Sequence, residues 1–85
     1  MQHEPEHQER QTVAVIHKGA KQEIHVSLAT FRGRTFGDLR LYVLNSQGEF
    51  IPTTKGCTVG LEQLEELEEA IGRLRDASDQ TTHHF

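Results

Sequence analysis

The sequence has no tryptophan, one cysteine, one tyrosine and two prolines. The single cysteine, Cys57, excludes an intrachain disulfide and any cluster of thiolate metal ligands. No apolar run approaches the roughly 20 residues of a membrane-spanning helix. The opening MQHEPEH lacks the basic start and apolar stretch of a secretory leader. KGCT (55–58) lacks the glycine spacing of a nucleotide-binding loop, nothing has the pattern of an activated serine, and no histidine lies near Cys57 in the chain. These absences predict a soluble, cytoplasmic protein with no membrane partner, no cofactor and no enzymatic activity.

Apolar residues are also missing from both ends. MQHEPEHQER has none after Met1, and DASDQTTHHF has only Ala77 and Phe85. Such composition cannot offset the entropy of ordering, so residues 1–10 and 77–85 are expected to be disordered tails around a domain at 11–76. A core drawn from so few residues is marginal alone, and dimerisation is a common remedy. Six histidines are present, but neither His3 with His7, His83 with His84, nor His17 with His25 has partners at ligand spacing, so no metal is expected.

Positive charge is scarce in the total and concentrated in place. The formal net charge is −4, yet residues 1–9 sum to −3, residues 10–61 to +4 and residues 62–85 to −5. A basic middle lies between acidic ends.

That middle alternates. EIHVSLATF (23–31) sets Ile24, Val26 and Leu28 on one side and His25, Ser27, Ala29 and Phe31 on the other. FGDLRLYVL (36–44) repeats the pattern, with Leu39, Leu41 and Val43 opposed to Asp38, Arg40 and Tyr42. TVAVIHK (12–18) reads as an earlier strand, and EFI (49–51) opens a later one, which Pro52 confines to an edge or ends. RGRT, NSQG and TTKG supply turns. From Gly60 the period changes: Leu61, Leu64, Leu67, Ile71 and Leu74 mark an amphipathic helix, with Gly60 and Gln63 at N-cap and N3, Val59 and Leu64 at the staple positions, and a Glu69–Arg73 pair. The fold class predicted is α+β, a four-stranded antiparallel sheet followed by one C-terminal helix (ββββα) in a homodimer. The helix stripe is expected to pack on the sheet, and Cys57 to be a small buried hydrophobe.

Arginines gather with aromatics in ATFRGRTFGDLRLYV (29–43). Aromatics in strands usually pack, and arginines in turns are usually solvated. Here Phe31, Arg40 and Tyr42 share the polar side of two strands joined by the short Arg32–Arg34 turn, which is expected to bring them together. Rings that stack on bases and cations that follow phosphates are what unpaired nucleic acid requires. Lys21 and His25 are further candidates for contact with the strand.

FRGRTFGDLRLYVLNSQGEFIPTTKG followed by an amphipathic helix resembles the transcriptional coactivator family known as positive cofactor four. The shared pattern is Phe31, Arg32, Gly33 and Arg34, then Asp38, Arg40 and Tyr42, then Gly48–Glu49 and Lys55–Gly56, without gaps over roughly residues 24–71. The resemblance implies a four-stranded antiparallel sheet, a helix that helps form a homodimer, and a groove for single-stranded DNA. By position, Phe31 would stack on a base, Arg32, Arg34, Arg40 and Lys55 would contact phosphates, and Asp38 would orient Arg40. Val43 stands where eukaryotic members often have tryptophan. Thr53, Thr54 and Ile51 replace frequent basic residues, which implies weaker binding. The serine- and acid-rich region of eukaryotic coactivators is absent from these 85 residues, so regulated coactivation is not implied. A bacterial or phage-type member, nucleoid-associated if bacterial and working with the transcription or replication machinery, fits the pattern. The alternatives are RNA binding and a dimeric interaction module whose basic face docks an acidic protein.

Overall fold

Alternation with period two leads the chain straight into an antiparallel meander. The computed structural model describes residues 8–82. Its strands are β1 (Gln8–His17), β2 (Gln22–Phe31), β3 (Arg34–Leu44) and β4 (Phe50–Gly60), followed by a 3-10 turn (Leu61–Gln63) and helix α1 (Leu64–Thr82). The strands lie side by side in the order of the sequence. This is the predicted ββββα order.

Turn chemistry sets the register. Arg32 and Gly33 both take positive φ, 54° and 78°, the backbone of a two-residue hairpin turn, and they pair Phe31 with Arg34. The β3–β4 turn is closed by Asn45, whose Oδ1 accepts from Gln47 N at 2.8 Å and Glu49 N at 2.9 Å. β1 and β4 are the edges. A register shift between Thr12 and Ala14 breaks the regular ladder of the β1 edge, and Pro52 lies on the other.

Several boundaries differ from those read in the sequence. β1 starts at Gln8 and α1 continues to Thr82, so parts of both expected tails are regular structure. Pairing with β2 carries the first, and the absence of a helix breaker after Gly72 carries the second. Residues 1–7 and 83–85 of those tails lie outside the described residues. β4 does not stop at Pro52: Arg40 pairs with Gly56 and Tyr42 with Pro52, so Thr53, Thr54 and Lys55 stand opposite Leu41 alone. The expected TTKG turn is a bulge inside one strand, tied down by Thr53 Oγ1 donating to Leu41 O at 2.8 Å.

The largest difference concerns the core. Ser27, Ala29 and Asp38 are buried, and Ala29 is the only buried hydrophobic residue among those described. All three are on the polar side of the sheet. The apolar side is uncovered, with Leu28 40% exposed. α1 does not lie across it. Leu64 and Val59, the staple positions, both come to the sheet at Gly37. Beyond that point Ile71 and Leu74 are 47% and 68% exposed. The radius of gyration is 16.3 Å, against about 12 Å for a compact chain of this length. Cys57, opposite Leu39, is exposed on the same uncovered side.

Candidate nucleic-acid interface

The polar side of the sheet can be built residue by residue from the register. β2 contributes Glu23, His25, Ser27, Ala29 and Phe31. β3 sets Tyr42, Arg40, Asp38, Phe36 and Arg34 opposite them in that order. Arg10 and Thr12 of β1 stand opposite Ala29 and Ser27. The face therefore has a turn end, a centre and a far end.

At the turn end, Phe31 is 37% exposed. The Arg32 guanidinium lies 5.2 Å from its ring centroid, within cation–π range. Phe31, Arg34, Phe36 and Thr58 line an open hollow of about 520 Å3, together with Glu62 and Gln63 of the 3-10 turn.

At the centre, Asp38 is 1% exposed. Arg40 donates from Nη2 to Oδ1 at 2.9 Å and from Nε to Oδ2 at 3.2 Å, and its Nη1 donates to Thr53 O at 3.2 Å. Arg10 reaches Oδ2 from β1. Burial pushes the Asp38 carboxyl upward, but hydrogen bonds and charge from Arg40 and Arg10 outweigh it, and its pKa lies below the ordinary value. The hydrogen bonding of its guanidinium to the Asp38 carboxylate is the chief cause raising Arg40's pKa. Two guanidinium groups on one carboxylate leave one net positive charge. Arg40 spends three of its five N–H donors here, so it serves first as a strut.

At the far end, the His25 and Tyr42 rings stack with centroids 3.6 Å apart and planes 4° from parallel. Glu23 holds this pair, with Oε1 2.9 Å from His25 Nε2 and Oε2 3.4 Å from His17 Nδ1. One face of Tyr42 is thus already covered by a neighbour. Among the described residues no group of three metal-ligating side chains is present.

Phe31, Arg34, Arg40, Tyr42 and His25 share one face, as the alternation requires. They are not gathered at the turn. Residues equidistant from a hairpin turn meet each other, and Arg40 and Tyr42 pair with His25 and Glu23. Six and eight residues along β2 put them about 20 and 26 Å from Phe31. Two other candidates stand apart. Lys21 is in the β1–β2 turn, where its carbonyl accepts from Leu44 N at 3.0 Å, at the opposite end from Phe31. Lys55 borders a hollow on the apolar side with Ile24, Leu39, Leu41 and Cys57, because the bulge carries it out of register. Arg10, Phe36, Glu23 and Glu62 belong to the face and were not among the sequence candidates. Phe36 and Glu23 had a signal, their places in the period-two pattern; Arg10 and Glu62 had none.

A family model described as PC4, Transcriptional Coactivator p15, matches residues 18–70. A PC4 homologue from Burkholderia pseudomallei is similar in two crystal forms. One shows 32% identity over 76% of this chain and 88% of the other, and the second 31% over 79% and 98%, each with a TM-score of 0.73. A bacteriophage T5 homologue of the eukaryotic coactivator PC4, implicated in recombination-dependent DNA replication, shares the fold at 21% identity, 82% and 81% coverage and a TM-score of 0.65.

Proposed function

The chain belongs to the PC4 transcriptional coactivator family, and from that premise we propose that it binds single-stranded DNA as a homodimer, without catalysis. The observation that carries this reading is the polar face itself. An exposed ring at Phe31 with Arg32 and Arg34 beside it begins a track that continues through the Arg10–Asp38–Arg40 cluster to His25 and Tyr42. Rings take the faces of unpaired bases with little regard to sequence, and arginines follow the phosphates. A duplex keeps its base faces stacked inside and cannot use such rings. The proposed setting is cytoplasmic, on strands opened during transcription or replication.

The decisive measurement titrates the protein with an oligonucleotide and with its duplex form at several salt concentrations. Tighter single-strand binding is expected, with log affinity falling against log salt by roughly 0.7 per phosphate neutralised. Equal or tighter duplex binding removes the stacking mechanism. An RNA oligonucleotide of the same sequence tests the choice of DNA.

The proposed dimer is supported by what one chain leaves uncovered. Ala29 alone cannot serve as a core, while Leu28, Ile51, Leu64, Ile71 and Leu74 are exposed. A second copy is the occupant in our reading, because each copy brings both an apolar sheet side and an apolar helix stripe. Gly72, between Ile71 and Arg75 on that stripe, has nothing within 4 Å of a built Cβ, which leaves room for another element to come close. Ile71→Glu is expected to weaken the dimer at least about tenfold, since a charge without a partner would be buried. Sedimentation at micromolar concentration reads this as a shift toward monomer.

A further inference from the structure

The hollow at the turn end contains one side chain that phosphate binding does not explain. Phe31 and Phe36 provide rings, and Arg34 provides a cation, but Glu62 brings a negative charge to the lining. A carboxylate repels phosphate, so this residue is either a cost to binding or a reader of something else.

Its position is tied to Gly60. Gly60 pairs with Phe36 across β3 and β4, so a Cβ there would point to the polar face. The Glu62 carboxylate fills that space: an ideal Cβ on Gly60 would lie 2.5 Å from Glu62 Oε2 and 2.9 Å from Oε1. The carboxylate therefore lies over the glycine, on the side of the sheet that displays Phe31 and Phe36. Gly60 has φ −65° and ψ 151°, extended backbone open to any residue. What the absent side chain provides is room, not conformational freedom. Gln63 Oε1 accepts from Gly60 N at 3.0 Å, which closes the chain around Glu62.

A carboxylate accepts hydrogen bonds and donates none. Cytosine and adenine carry exocyclic amino donors, whereas thymine presents the acceptor O4 in the corresponding place. We infer that Glu62 reads the exocyclic amino group of a base stacked at Phe31, and so selects cytosine or adenine over thymine at this position. The inference rests on the single-strand reading above. It adds a preference at one base to a surface that elsewhere tolerates any sequence.

The test compares oligo(dC) with oligo(dT) of equal length by fluorescence anisotropy, using the full chain at one fixed salt concentration. Wild type is expected to bind oligo(dC) about tenfold more tightly, the scale of one specific contact to a base edge. Glu62→Gln removes the charge and adds a donor suited to thymine O4, so the ratio is expected to fall near one while both affinities rise. Gly60→Ala leaves the charge in place and displaces the carboxylate, and is expected to lower the ratio as well. A wild-type ratio near one overturns the inference, as does a tenfold ratio that survives Glu62→Gln. Equal binding of the two oligomers leaves the single-strand reading standing. Binding of neither at low salt removes that reading and this inference together.

Discussion

Asp38→Asn is expected to destabilise the protein by about 3 kcal/mol, the low end of what removing one partner from a buried ion pair costs. Asparagine keeps the shape of the side chain and one accepting oxygen. It loses the charge that separates Arg10 from Arg40. Two guanidinium groups then face each other across a residue that is 1% exposed, with hydrogen bonds from Nε, Nη1 and Nη2 of Arg40 now anchored mainly at Thr53. Both arginines keep some contact with water, at 26% and 20% of their side-chain area, which is why the low end applies. Urea denaturation at neutral pH, at one fixed protein concentration, measures the difference. A change below about 0.5 kcal/mol, ordinary for a surface position, would show that the cluster is ornamental.

The same cluster fixes the direction of a pH effect. Asp38's pKa is lower in the folded protein than its ordinary value, so the folded state favours the ionised form. The stabilisation is complete above the ordinary aspartate value, about 3.9, and disappears as pH falls through the lower folded value. Acid should therefore erode the gap between wild type and Asp38→Asn, because protonation performs the same substitution reversibly. Denaturation curves at about pH 7 and about pH 3 provide the check. A gap that widens in acid reverses the sign and refutes the assignment.

How the cluster forms also shows what a sequence can disclose. Asp38 and Arg40 stand two apart on one strand face, and the period-two pattern alone places them together. Arg10 is another matter. It sits in a stretch with no apolar residue, where composition predicts disorder, and only pairing with β2 brings it to Asp38. Local alternation likewise revealed both sides of β2 and β3, and positive φ at Gly33 and Gly48 agrees with the turns read there. The bulge at Thr53–Lys55 was hidden because threonine, lysine and glycine together look like a turn. The course of α1 was hidden for a different reason. A leucine stripe states that a helix will be covered and says nothing about which chain covers it. Glu62 was invisible as part of the face because its place depends on the space above Gly60, a fact of packing rather than of pattern.

Phe31→Ala combined with Arg34→Ala is expected to weaken binding to a single-stranded oligonucleotide by about 3 kcal/mol, roughly 150-fold, from one lost base stack and one lost phosphate contact. The pair is chosen from the turn end because neither residue supports the Asp38 cluster. Arg40→Ala would be a poorer probe, since it strips Asp38 of its bidentate partner and confuses folding with binding. The two single variants separate the contributions. Phe31→Ala should reduce affinity at every salt concentration alike, because stacking releases no counterion. Arg34→Ala should reduce the salt slope by about 0.7, one phosphate fewer. Thermal denaturation should leave both close to wild type, since Phe31 is half-exposed and Arg34 is exposed. If the double variant binds as wild type does while staying folded, the strand runs elsewhere, and the rings at this end of the sheet serve the dimer or a protein partner instead.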